Sequence, residues 1–348
     1  MINNKKILNI INKLKYQDLI NNLLSVKVYT NIKNNNYSLK RNINFRNKKI
    51  SIPLIMKNSK ITNENDTECN IQAYINNFNQ VLLNNFKEDS LLIYLNNLVN
   101  LRVGSSKFTF LKLLWNSEIM AIYFVDKNKL VIRKGNKKES TIYHELFHVA
   151  SSIIDGNTYF VGFSQYTNKK GIIGKGLNEG YTELLTNRYF NSNDKSYQFE
   201  MKCAYLLEQI VGKQQMENLY LNADLFNLKN TISNYTTEEN FTTFLTNLDI
   251  INDTTYSSLY YYYNKEDTLN RYMDILIFLV ETYSKKLYLS YINGEINELD
   301  KDKLLSDYIS NIPKKINLEE ITYNIITTEE LNNIANKKFY SFLEKKQK

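Results

Sequence analysis

Two hydrophobic spacings alternate along this chain, one near 3.6 residues and one of two, and they divide it into predicted helices and strands. Residues 1–30 carry Ile7, Leu8, Ile11 and Leu14, then Leu19, Ile20, Leu23 and Leu24, a helical pattern. Residues 31–65 are rich in Asn and Lys around an alternating "INFRNKKISIPLI", which predicts a small strand-and-loop region. Two helices are expected between 66 and 102, on "NIQAYINNFNQVLLNNF" and "EDSLLIYLNNLVNL". "EIMAIYFV" (118–125) and "KLVIR" (129–133) flank a short polar connection and read as a β-hairpin. A helix over 140–154 follows, then a second hairpin or glycine-rich loop over 157–176. From 177 the pattern is helical almost to the end, broken near 190–196, 233–240, 251–256 and around Pro313.

Composition supports long helices: the 348 residues include only 10 Gly and 2 Pro. Six of those glycines fall between Gly156 and Gly180, so the backbone there must turn tightly or approach something closely. Hydrophobic residues at 43% and charged residues at 23% fit a folded globular protein. The net charge of +8 comes from lysines spread singly or in pairs, without a basic block interleaved with glycine and aromatics. That reads as a solvated surface, and no nucleic-acid partner is expected. Cys69 and Cys203 stand far apart in no pair motif, which argues against a disulfide framework. The most apolar run later in the chain, "MDILIFLV" (273–280), is too short to span a bilayer and is expected to be a buried helix turn. The N-terminus lacks the form of a signal peptide, so a cytoplasmic location is expected, with non-classical export the other route.

The chemistry concentrates in "STIYHELFHVASS", residues 140–152, which holds both histidines of the chain. His144 and His148 are one helical turn apart and share a face. Ile142, Leu146, Val149 and Ile153 form the apolar stripe, and His144 is turned about 200° from Ile142. One face can anchor the helix while the other holds a metal. Glu145 lies on the flank of the histidine face. The H-E-x-x-H arrangement sets such a carboxylate beside the water of a zinc ion, where it can act as general base. A catalytic zinc needs three protein ligands and an open position. With no third histidine, the third ligand must be a carboxylate or a cysteine. Ser151 and Ile154 exclude the pattern in which a histidine follows on the same helix. Asp155 lies where it would struggle to turn back, and Cys203 has no supporting context. The best candidate is "GLNEGYTELLTNRY" (176–189), where Glu179 and Glu183 share a helix face. One of the two can bind zinc and the other can accept the N–H of a zinc-bound histidine.

"HELFH" followed by "NEGYTE" resembles the motif pair of the gluzincin zinc metallopeptidases, typified by thermolysin-like enzymes. The resemblance covers roughly residues 118–190 and is specific in the two motifs only. It implies one Zn2+ ion held by His144, His148 and Glu179, with Glu145 as general base. It also implies Glu183 behind His144, where the family has Asp. The gap from His148 to Glu179 is longer than in thermolysin-like enzymes, and Thr182-Glu183 replaces Ser-Asp. No downstream histidine is present to stabilise the oxyanion. Tyr159, Tyr166, Tyr181, Arg188 and the tyrosines of "LYYYYNKED" (259–267) are the residues at hand for that role.

The expected fold is α+β and mostly helical, zincin-like, with a small antiparallel sheet packed on helix 140–154 and a helical C-terminal part. Residues 1–65 are expected to form an N-terminal extension or small subdomain, and 66–348 the catalytic domain. Its upper part is about 66–155 and its lower part about 177–348. An edge strand within 119–125 or 129–133 is expected to face extended substrate. The expected function is zinc-dependent hydrolysis of peptide bonds in a peptide or protein substrate. The alternative is a zinc-binding zincin-like protein without peptidase activity, acting as a binding module. A deformylase-type hydrolase, which needs a cysteine ligand, is disfavoured by the setting of Cys69.

Overall fold

A computed structural model describes residues 39–45, 48–54, 71–99, 101–106, 120–133, 136, 138–156, 158–167, 171–193, 196–256, 265–318 and 321–346. The helix predicted over 1–30, Cys69 and the tyrosines at 260–263 lie outside them. The described chain is α+β, mostly helical, with small sheets. It divides into two units.

The first unit comprises Met1–Gly171, Leu185–Asp194 and Glu217–Asp224. The alternating stretch before residue 65 forms an antiparallel hairpin of β1 (Leu39–Phe45) and β2 (Lys48–Leu54). The two predicted helices are α1 (Ile71–Asn85) and α2 (Glu88–Val99), and the histidine helix is α3 (Glu139–Ala150). Their apolar stripes meet in a core of Ile75, Phe78, Leu82, Tyr94, Leu98, Leu146 and Phe147, every one fully or almost fully buried. Phe78 is its centre, edge-on to Tyr94 at 5.4 Å and to Phe147 at 4.9 Å between ring centroids.

The hairpin predicted around residue 127 is present as β4 (Ala121–Phe124) and β5 (Lys129–Arg133). The sheet is not wholly antiparallel as expected. A strand that the pattern did not announce, β3 (Arg102–Ser106), pairs parallel with β5. Five residues with one glycine and two serines carry too little alternation to be read as a strand. The order β3-β5-β4 leaves β4 at an edge among the described residues, next to α3. After α3 the chain forms a four-stranded meander of β6 (Ser152–Asp155), β7 (Thr158–Val161), β8 (Ser164–Thr167) and β9 (Gly171–Ile173). Over 157–176 a hairpin or a glycine-rich loop was expected, and the strands there extend further than one hairpin.

The second unit comprises Ile172–Leu184, Lys195–Met216 and Leu225–Lys348. Helix α4 (Lys175–Phe190) runs through both units, as does the short α6 (Lys213–Leu221) that follows α5 (Gln198–Val211). Then come α7 (Leu225–Ile232), α8 (Glu238–Tyr256), α9 (Lys265–Ile292), α10 (Glu298–Ser310) and α11 (Thr328–Lys346). Helix α9 is the spine, packed by α5, α8, α10 and α11. It carries "MDILIFLV", whose Ile275, Leu276, Leu279 and Val280 are fully buried as expected. Tyr283 of α9 stacks on Tyr308 of α10 at 3.8 Å between centroids. Asn297 and Asp300 close a capping box on α10. Pro313 precedes a small hairpin, β10 (Lys315–Leu318) and β11 (Ile321–Asn324), where only a helix break was expected. Among the described residues no helix is long and apolar enough to cross a membrane.

Candidate metal centre

Helix α3 buries the predicted stripe, with Ile142, Leu146 and Val149 at 1% exposure or less. It ends at Ala150, four residues earlier than the pattern suggests. The hydroxyl of Ser151 donates to the carbonyl of Phe147 at 2.9 Å, and that of Ser152 donates to the carbonyl of His148. These side chains satisfy the last helical acceptors locally, and the chain turns off into β6. Ile153 and Asp155 therefore belong to a strand paired with β7, and Asp155 is exposed on it.

His144 and His148 are buried, and their Nε2 atoms face each other at 3.2 Å. Glu145 is half-buried, and one of its oxygens, Oε2, accepts the main-chain N–H of Tyr123 at 2.7 Å. The base candidate is thus held by the edge strand β4.

Helix α4 is fixed at both ends. At its C-terminal end Phe190 stacks on Tyr143 of α3 at 3.8 Å and on Phe78 at 5.7 Å between centroids. At its N-terminal end Gly174 turns the chain with φ at 79°. There the Asp249 carboxylate of α8 accepts the N–H groups of Gly174 and Gly176, each at 2.7 Å. Lys175 pairs with Asp253 at 2.5 Å. The glycine signal in the sequence is explained here by close approach. A Cβ on Gly176 would fall on the main-chain carbonyl of Leu248, and one on Gly180 on the main chain of Glu200. The spacing Gly176-x-x-x-Gly180 lets α8 and α5 come close to α4 at successive turns.

Burial pushes the Asp249 carboxyl up to about 7, against the pull of the two N–H donors; Asp253 adds to the rise and Lys175 opposes it. The folded chain therefore binds this proton more tightly than the unfolded chain. The associated stability is complete below the ordinary carboxylate range and is lost as pH rises towards 7. Urea unfolding of the metal-free protein followed from pH 5 to 8 is expected to show falling stability. In Asp249→Asn the slope should be shallower by up to about 1.4 kcal/mol per pH unit. An unchanged slope would show that Asp249 does not carry the proton.

Among the described residues, one group of side chains can hold a metal ion: His144, His148 and Glu179, whose ligand atoms all lie within 4.8 Å of one another. Two imidazoles and a carboxylate are a fitting donor set for zinc. Ligands about 2.0–2.1 Å from a tetrahedral ion stand roughly 3.3 Å apart, and the two Nε2 atoms are 3.2 Å apart. Near Glu179 the Glu200 carboxyl is pushed up to about 7, first by burial and also by the charge of Glu179, while Asn252 donates to it at 3.1 Å. The surroundings of Glu179 thus disfavour further negative charge.

Other residues singled out from the sequence are distributed differently. Glu183, one turn beyond Glu179, is 2% exposed and is not part of the three-ligand group. Cys203 is fully buried on α5, its thiol pushed well up by burial, and it is not a member either. Tyr181 is fully buried and donates its hydroxyl to Glu208 at 2.8 Å. Arg188 pairs with Glu217 at 2.9 Å, and Tyr189 donates to the same carboxylate at 2.7 Å. Tyr181 and Arg188 thus have structural bonds of their own. Tyr159 and Tyr166 face each other across β7 and β8, both half-buried. Sequence reasoning missed Tyr123, Asp249 and Glu200. Tyr123 and Asp249 lie 22 and 75 residues from the residues they bond (Glu145 and Gly174), and Glu200 lies 21 from Glu179, whose charge helps raise its carboxyl; no spacing rule connects them.

Comparisons of this chain with models of known protein families, with curated proteins and with solved structures returned no match.

Proposed function

We propose that the chain is a zinc metallopeptidase of the gluzincin kind on a zincin-like fold, with one zinc ion held by His144, His148 and Glu179. The observation that carries this reading is the meeting of Glu179, from a helix begun 25 residues after α3 ends, with two histidines four residues apart. Chance placement of an H-E-x-x-H pattern on a helix does not call for a buried carboxylate-bearing helix to converge on it. Zinc bound there supplies a Lewis acid for a scissile carbonyl and lowers the pKa of water towards neutrality. Glu145 takes a proton from the attacking water and passes it to the leaving amine. The edge strand β4 keeps that carboxylate in place through the Tyr123 N–H. Asp249 and Phe190 hold the two ends of the helix that brings Glu179.

The metal-free protein titrated with zinc is expected to bind one ion per chain. Hydrolysis of a mixed peptide library is expected to stop with a chelator and return with added zinc. Zinc binding without hydrolysis of any peptide would favour a metal-binding module instead. Failure to bind zinc would overturn both readings.

A further inference from the structure

Glu145 is bonded to a strand whose own position is over-determined. The N–H of Arg133 donates to the carbonyl of Met120 at 2.8 Å, so these two residues form a hydrogen-bonded pair at the end of the β4–β5 ladder. Such pairs alternate in an antiparallel ladder, and the register opposes Ile122 to Val131 and Tyr123 to Leu130. The N–H of Tyr123 therefore points away from β5, out of the open side of β4. There it meets Glu145 at 2.7 Å, a charge-assisted length.

The side chain of Tyr123 is fixed as well. Its hydroxyl donates to Asn128 Oδ1 at 2.9 Å. Asn128, in the left-handed region with φ at 42°, donates through Nδ2 to the carbonyl of Asn97 at 2.7 Å. Asn97 in turn donates through Nδ2 to the carbonyls of Val149 and Ser152, at 2.8 and 2.7 Å. Val149 belongs to α3, the helix that carries Glu145, and Ser152 directly follows it. Burial pushes the Tyr123 hydroxyl up to about 12, with Ser152 pulling the other way and Asp126 adding to the rise. The hydroxyl is thus a donor at any working pH. The chain Tyr123–Asn128–Asn97 closes a loop from β4 to the end of α3, and the Tyr123 N–H closes a second connection to the middle of the same helix.

We infer that Tyr123 is a positioning residue for Glu145: its main-chain N–H fixes the carboxylate, and its hydroxyl, braced by Asn128 and Asn97, fixes the strand that offers that N–H. A preorganised donor of this kind keeps the carboxylate from swinging between rotamers and holds it as an acceptor. The inference rests on the reading of Glu145 as the base. It also reserves one outward donor of β4, so an extended segment laid along that edge finds the N–H of Ala121 but not that of Tyr123.

Amide hydrogen exchange in the metal-free protein tests the bond directly. The Tyr123 amide is expected to be protected in the wild type and to exchange about tenfold faster or more in Glu145→Ala. In Glu145→Gln, which keeps an acceptor oxygen, intermediate protection is expected. The amides of Ile122 and Val131, within the ladder, should not change and report that the sheet is intact. Equal exchange of Tyr123 in all three proteins would overturn the inference. In the zinc-loaded protein Tyr123→Phe should lower kcat several-fold with KM unchanged. A rise in KM alone would mark Tyr123 as a substrate contact and overturn the positioning role. Absence of hydrolysis in the wild type would overturn the metallopeptidase reading, while the exchange pattern would still decide the bond.

Discussion

Glu145→Gln is expected to bind one zinc ion per chain and to hydrolyse no peptide at a measurable rate. Gln is nearly isosteric with Glu and keeps an oxygen that can accept the Tyr123 N–H, so α3 and β4 should stay as they are. His144 and His148 are untouched, and Glu179 still completes the group. What is lost is the ability to take up a proton near neutral pH, since an amide is not a base in that range. Removal of a positioned general base costs about 10²–10⁴ in rate. The measurement is kcat/KM against a cleaved peptide beside zinc content of the same preparation. Full activity in the variant would sink the mechanism. Loss of zinc together with activity would mean that Glu145 supports the metal site itself.

The second large effect is expected at Glu179. Glu179→Ala should lose zinc affinity by more than the roughly 10–100-fold that outer partners of a metal site carry, because it removes one of three donors. Two imidazoles on one helix turn would remain, without the carboxylate that offsets the charge of the ion. Glu183→Ala is the control. Its carboxylate is buried one turn away and stands outside the group, so its loss should cost zinc affinity less. Competition against a chromogenic chelator measures both. Retained affinity in Glu179→Ala with loss in Glu183→Ala would reverse the ligand assignment. Circular dichroism of both variants separates loss of the site from loss of the helix.

Much of this site was legible in the sequence because its spacing is local. The four-residue interval fixes His144 and His148 on one face whatever the fold, and the stripe of Ile142, Leu146 and Val149 fixes which face is anchored. The same holds for α1, α2 and the β4–β5 hairpin, whose periods are regular. The end of α3 was not legible. Its pattern continues to Ile153, but Ser151 and Ser152 bond back to the helix and pairing with β7 draws the next residues into a strand. Strand β3 was missed because a parallel partner lies far along the chain, beyond any local period.

The sequence by itself determined that two histidines and a glutamate share one helix and that Glu179 and Glu183 share a face of another. Spacing alone does not choose between those two carboxylates, since residues one turn apart are equivalent by it, and the expectation of Glu179 came from the resemblance of the motif pair. In the structure Glu179, and not Glu183, stands in the group that could hold a metal ion, on a helix held by Asp249 at one end and Phe190 at the other, with glycines that let α5 and α8 approach the turn between. Tertiary structure alone decided that β4 lies over α3 so that a main-chain N–H meets Glu145. Local periodicity sets which way a side chain leaves its own helix. Which of several equivalent side chains meets a distant partner depends on packing between elements, which periodicity does not carry.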